Sequence, residues 1–161
     1  MNKIEIITTG GTIDKEYFDA KSEFQVGEPQ IAAVLRDANL SLEYGIKALM
    51  RRDSLEMTDE DRLVIRQAVE NSDADRIVIT HGTDTMVRTA QALEGVAEKT
   101  VVLTGAMQPA RFRFTDAIYN VASALTAVQL LPEGVYVAMN GRVFQPDAVM
   151  KNVAENRFEP L

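Results

Sequence analysis

The feature that most restricts this chain is the alternation of short, β-branched apolar runs with segments of helical period. Ile4-Glu5-Ile6-Ile7, Arg76-Ile77-Val78-Ile79 and Thr100-Val101-Val102-Leu103 read as buried parallel strands, and Gly134 to Met139 is similar. Between them lie helical patterns. Gln30 to Ala38 carries Ile31, Val34 and Leu35 on one face, and Thr58 to Asn71 carries Leu63, Ile65 and Val69 behind an acidic first turn. Met86 to Leu93 and Thr115 to Leu131 complete the set, and the weaker alternation from Glu43 to Met50 reads as one more strand. Helices that separate most strands imply a parallel sheet covered on both faces. Ligands of such sheets bind beyond the carboxyl ends of the strands, so chemistry is expected just after Ile7, Met50, Ile79 and Leu103.

Composition removes several classes of function. Hydrophobic residues make up 46% and charged residues 25% of the chain, which is a globular balance. The net charge of −7, spread along the chain, argues against a nucleic-acid partner. Without cysteine there is no disulfide, thiolate nucleophile or Cys-ligated zinc, and the lone His81 cannot supply a His-rich metal site. Neither a metal nor an organic cofactor is expected. No apolar run approaches the ~18 residues that span a bilayer, so no membrane partner is expected. The start of the chain lacks the pattern of a signal peptide, which makes cytoplasmic residence the default expectation. No linker or repeat divides residues 1–161, and one domain is expected. The irregular polar stretch Asp14 to Glu28, with Tyr17 inside it, is long for a connection and reads as a flap.

Two strand-end segments carry the candidate chemistry. Thr8-Thr9-Gly10-Gly11-Thr12-Ile13 places a hydroxyl beyond a glycine pair. It reads either as a tight, anion-cradling turn or as the seat of a nucleophile, and it lacks the lysine of a P-loop and the third glycine of a dinucleotide fingerprint. Thr80-His81-Gly82-Thr83-Asp84-Thr85-Met86 leads into a helix. Asp84 there is either a helix cap or a carboxylate for a substrate ammonium, with Thr83 aimed at the reacting carbonyl. His81 is expected to bond structurally.

Together the two threonine-glycine segments resemble the bacterial type asparaginase and glutaminase-asparaginase family. The likeness continues through Asp53-Ser54 before Met57, through Val101 to Pro109, and from Met139-Asn140 to Lys151. It implies an L-asparaginase acting on a small amino-acid amide, with Thr12 acylated during turnover. It also implies that Lys151 pairs with Asp84 and activates Thr83, that Tyr17 in the flap lies against the nucleophile, and that Asp53 and Ser54 bind the substrate carboxylate. Backbone N–H groups near Gly11 or Ala106 are the candidate oxyanion donors. A threonine hydroxyl is a poor nucleophile unless its proton is taken as it attacks, which is the task assigned to Lys151 with Thr83. The implied fold is α/β, a three-layer, mostly parallel sheet with helices on both faces (Rossmann/flavodoxin-like), without the family's smaller C-terminal domain.

That second domain supplies, in larger members, a partner-subunit acid for the substrate's amino group. Weaker binding and a high KM are therefore expected. Exposed apolar surface around an uncovered site points to a homo-oligomer. A glutaminase or broader amidase is the alternative chemistry, and a non-catalytic amino-acid-binding module is the alternative class. Arg111-Phe112-Arg113-Phe114 reads as a solvated loop or subunit contact, Asp116 as a helix start or a carboxylate supporting the site, and Phe144 and Phe158 as packing residues.

Overall fold

Six strands make the central sheet of the protein, whose computed structural model describes residues 3–161. In chain order the elements are β1 (Ile4–Gly10), β2 (Lys15–Phe18), β3 (Glu23–Val26), α1 (Ile31–Asp37), β4 (Tyr44–Arg52), α2 (Asp59–Glu70), β5 (Arg76–Thr80), α3 (Met86–Leu93), β6 (Thr100–Thr104), α4 (Ala117–Leu130), β7 (Gly134–Met139), β8 (Arg142–Phe144), β9 (Val149–Asn152) and β10 (Arg157–Pro160). The sheet runs β4-β1-β5-β6-β7-β8. Its first five strands are parallel and β8 returns antiparallel to β7. After β4 the chain crosses back over β1, so the direction in which strands are added reverses between β1 and β5. The loops leaving those two strands flank the crevice that such a reversal creates.

The apolar runs bury residues on both faces because successive side chains alternate. Ile7, Ile77, Ile79, Val101 and Leu103 meet Ile65 and Val69 of α2 and Met86, Ala90 and Leu93 of α3. Ile4, Ile6, Val78 and Val102 meet Ile31 and Leu35 of α1 and Val121, Ala124 and Val128 of α4. The expected three-layer α/β arrangement is therefore present. A capping box starts α2: Thr58 Oγ1 accepts from Asp61 N–H at 3.1 Å, and Asp61 Oδ2 accepts from Thr58 N–H at 3.0 Å. Such a cap stabilises a helix by about 1 kcal/mol.

One packing expectation fails on α2. Leu63 is 55% exposed, because the stripe facing the sheet runs through residues 62, 65, 68 and 69 and turns position 63 outward. Arg62 is buried in its stead, donating to Asp59 at 3.0 Å and to Thr89 Oγ1 at 3.2 Å. The flap is also regular rather than irregular: β2 and β3 form an antiparallel hairpin pairing Lys15 with Val26 and Phe18 with Glu23. A second hairpin, β9–β10, ends the chain and sets Val149 and Phe158 into the core shared with α2 and α3. Phe144 and Phe158 are packing residues, as expected.

Candidate active site

The loop after β1 has no room for side chains at its glycines. Gly10 and Gly11 adopt φ of 104° and 90°, in the region that disfavours other residues. A Cβ on Gly11 would lie 2.4 Å from Gly82 N, so the loops after β1 and β5 touch backbone to backbone. The Gly11 N–H donates to Arg52 C=O at 2.9 Å. That removes Gly11's own N–H from the expected oxyanion donors and leaves this residue a role in close approach. Thr12 follows, partly buried, as the first residue of a 3-10 turn over Thr12–Asp14. Tyr17 stands on the hairpin, 51% exposed, with its ring 5.4 Å from that of Phe24, which in turn meets Phe112 at 5.7 Å.

The loop after β5 gathers the charged groups. Lys151 Nζ donates to Thr83 Oγ1 at 2.8 Å and to Asp84 Oδ1 at 2.7 Å. These partners are distant in sequence, and the C-terminal hairpin brings them together. Phe158 anchors that hairpin in the core, and its N–H donates to Asn140 Oδ1 at 2.8 Å. Asp84 is not the cap of α3, whose N-cap is Thr85 with no side-chain capping bond; the Asp84 carboxylate is taken by Lys151 instead. Ser54 ties in the loop after β4, its Oγ accepting from Asp84 N–H at 3.2 Å and its C=O from Thr85 Oγ1 at 2.7 Å. Asp53 is turned elsewhere, pairing with Lys15 at 3.1 Å and accepting from Leu55 N–H at 3.0 Å. Burial works against ionisation of Asp53, yet these partners hold its carboxyl below the usual carboxylate range.

His81 is a buried brace for this loop. Its Nδ1 lies 2.7 Å from Gly82 C=O and its Nε2 lies 2.8 Å from Thr89 Oγ1 and 3.0 Å from Met57 Sδ. A carbonyl only accepts, so Nδ1 carries the proton and Nε2 accepts from Thr89. Burial pushes the imidazole down to about 4, with Arg62 acting in the same direction against the Gly82 bond. It is neutral at pH 7 and braces the motif, as the sequence suggests.

The loop after β6 closes the far wall. Ala106 is buried, and Ala110 N–H donates to Ile13 C=O at 3.0 Å, joining this loop to the turn that holds Thr12. Asp116 accepts from Met107 N–H at 2.9 Å, Gln108 N–H at 3.0 Å and Asn120 Nδ2 at 3.0 Å, so it supports the loop through its carboxylate. Arg111 pairs with Glu16 of the hairpin at 2.8 Å, and Arg113 lies over the Phe114 ring. Among the described residues no group of three His, Asp or Glu side chains is arranged to hold a metal.

Two residues that sequence reasoning did not single out as site groups stand out. Asp14 is buried beside Thr12, and Arg111 latches the hairpin. Neither carries a local sequence signal, since each acts through segments far away in the chain.

The strand reversal between β1 and β5 defines a doubly wound α/β domain, with the Thr83 hydroxyl, Lys151 Nζ and the Asp84 carboxylate gathered at its strand ends. The asparaginase N-terminal family description matches residues 3–158, and the chain belongs to that family. A probable periplasmic L-asparaginase of Haemophilus influenzae is 34% identical over 92% of this chain and 46% of its own length. A glutaminase-asparaginase of Acinetobacter glutaminasificans is 32% identical over 94% of this chain and 50% of its own. The solved structure of the thermostable L-asparaginase from Thermococcus kodakarensis superposes with a TM-score of 0.83 at 28% identity, covering 99% of this chain and 51% of that one. The chain thus spans about half the length of these relatives.

Proposed function

We propose that this chain is an L-asparaginase, hydrolysing L-asparagine to L-aspartate and ammonia through an ester on Thr12. The observation that carries this reading is Lys151 Nζ bridging the Thr83 hydroxyl and the Asp84 carboxylate, beside a glycine turn pressed against Gly82. Thr12 Oγ attacks the side-chain amide carbon, and its proton leaves with the departing ammonia. Water activated by the Thr83-Asp84-Lys151 group then cleaves the β-aspartyl ester and restores the Thr12 hydroxyl. Thr83 accepts a hydrogen bond from Lys151, which leaves its own O–H free to act as a relay toward the crevice. Ala106 N–H remains the candidate oxyanion donor. Ser54 bounds the substrate's carboxylate end, and Tyr17 is assigned to closing over Thr12 from the hairpin.

The test is ammonia release from asparagine by wild type and by Thr12→Ala, with a slowly deacylated aspartate analogue used to locate the modified residue by mass spectrometry. Turnover by Thr12→Ala near the wild-type rate would transfer the nucleophile role to Thr83. Saturable asparagine binding by wild type without ammonia release would favour the amino-acid-binding module. A glutaminase is the second reading, favoured by the name of the Acinetobacter relative. Comparing ammonia release from glutamine separates the two.

Action of residues 1–161 as one unit, cytoplasmic residence and a homo-oligomer belong to the same proposal. Among the described residues no helix is long and apolar enough to cross a membrane. Exposed Phe114, Ile118, Tyr119 and Val143 support self-association. Cell fractionation and sizing in solution test these points.

A further inference from the structure

Asp14 joins the turn bearing Thr12 to the far end of the hairpin, through its backbone to Gly11 and Gly27 and through its carboxyl to Gln30. Its N–H donates to Gly11 C=O at 3.1 Å, its C=O accepts from Gly27 N–H at 2.9 Å, and its Oδ1 accepts from Gln30 N–H at 2.9 Å. The first bond belongs to the Thr12 turn, the second to the end of β3 and the third to the start of α1. Between these bonds stands a hairpin that pairs only with itself and exposes Tyr17, Phe18 and Phe24. Movement of that hairpin relative to the rest of the domain has to pass through its two connections, at Asp14 and at Gly27.

Asp14 as a whole is 2% exposed. The charged groups of the segments around it are committed elsewhere: Lys15 pairs with Asp53, Glu16 with Arg111, and Arg51 of β4 with Glu28. Among the described residues no cation lies within ion-pair distance of Asp14, and Arg51 acts on it only at longer range. A buried carboxyl without a cation is more stable uncharged.

From this hinge geometry we infer that Asp14 is a positioning residue: its neutral carboxyl keeps the base of the hairpin closed beside the turn that bears Thr12, and loss of its proton loosens the hairpin. The inference deepens the asparaginase reading, on which its relevance to catalysis rests. Burial pushes the Asp14 carboxyl up to about 7, against the Gln30 bond and Arg51. Opening of the hairpin's base that exposes the carboxyl to water lowers its value again toward the ordinary carboxylate range. Closure is then strongest below that range, weakens as pH rises, and levels off once the closed form also ionises near 7.

The experiment is amide hydrogen exchange of residues 15–26 in the full chain at pH 5, 6, 7 and 8, each rate normalised to that of the unstructured peptide. In wild type, protection of the hairpin falls about tenfold or more between pH 5 and 7, within the limit of one proton, and then levels off. The α4 amides serve as an internal reference and do not follow that step. Asp14→Asn keeps an acceptor for Gln30 N–H without a charge, so its hairpin stays protected across the range. Asp14→Ala lacks the acceptor and shows low protection throughout. A wild-type hairpin whose protection does not change with pH overturns the inference even if neither variant folds, and so does an Asn variant that retains the step. No readout here needs turnover, so an inactive but pH-responsive protein would sink the asparaginase reading alone.

Discussion

The two loops that meet at Gly11 and Gly82 are held in opposite ways. The loop after β5 is fixed from below by His81 and Thr89, from one side by Ser54 and from above by Lys151, and most of these groups are buried. The hairpin that leaves the loop after β1 rests on surface pairs, Lys15 with Asp53 and Glu16 with Arg111, and on the Tyr17-Phe24-Phe112 contacts. Exposed ion pairs contribute about 0–1 kcal/mol each and aromatic contacts about 0.5–1.5 kcal/mol. The same domain therefore combines a tightly braced charge cluster with a hairpin held mainly by weak surface contacts. On the proposed function, chemistry belongs to the first and access to the second.

Removing the hydroxyl proposed as nucleophile tests that division most severely. Thr12→Ala is expected to lower asparagine hydrolysis by about 10³-fold or more while urea unfolding stays close to wild type. Lys151→Ala is expected to cost about 10²- to 10⁴-fold, read as ammonia release at saturating substrate. If hairpin substitutions matched these losses, the cover would have to belong to the chemistry as well.

Phe158→Ala comes next. It empties a buried position under the hairpin that carries Lys151, and an expected loss of about 3–5 kcal/mol would lower the urea midpoint. Ammonia release should fall with it even below the unfolding midpoint, because the Lys151 to Thr83 geometry depends on that anchor. Phe24→Ala probes the other region: global stability is expected to move by no more than about 1 kcal/mol, since this ring is half exposed. Amide protection of residues 15–26 should nonetheless drop several-fold, which would separate the cover's stability from that of the core.

The contrast between regions also explains what could be read in advance. Strands β1, β5, β6 and β7 bury both faces, and their unbroken apolar runs mark them plainly in the sequence. The β2–β3 hairpin is invisible to the same reasoning because its short strands leave most side chains partly or fully exposed, so no apolar alternation arises. Leu63 misleads for a related reason: an apolar residue sits beside the stripe, while Arg62 is buried within it on partners at Asp59 and Thr89. Thr12, Thr83 and Asp84 stand out as strand-end polar residues. Lys151 is legible only through resemblance, since a pairing across 68 residues leaves no local pattern. Asp14 gives no signal at all, because its importance arises from burial between segments that converge only in the fold.

The smallest expected effect in wild type sets the two regions against each other through protons. His81, in the fixed loop, has a folded value of about 4 against an ordinary 6.5. Its contribution to stability is complete above 6.5 and is lost as pH falls through 4. Asp14, at the base of the cover, has a folded value of about 7 against 3.8, so its contribution is complete below 3.8 and is lost as pH rises through 7. Between about pH 4 and 6.5 the folded chain keeps a proton on Asp14 that the unfolded chain releases, and lacks one on His81 that the unfolded chain takes up. The proton counts cancel, and the two groups together leave stability nearly independent of pH across that window. Asp14→Asn removes one side of the balance. Its urea-derived stability should rise with pH over this window by at most about 1.4 kcal/mol per unit, and on the order of 2–3 kcal/mol in all. A variant whose stability is as flat as that of wild type would mean that the buried imidazole and the buried carboxyl do not oppose each other, and the balance drawn here between brace and hinge would be wrong.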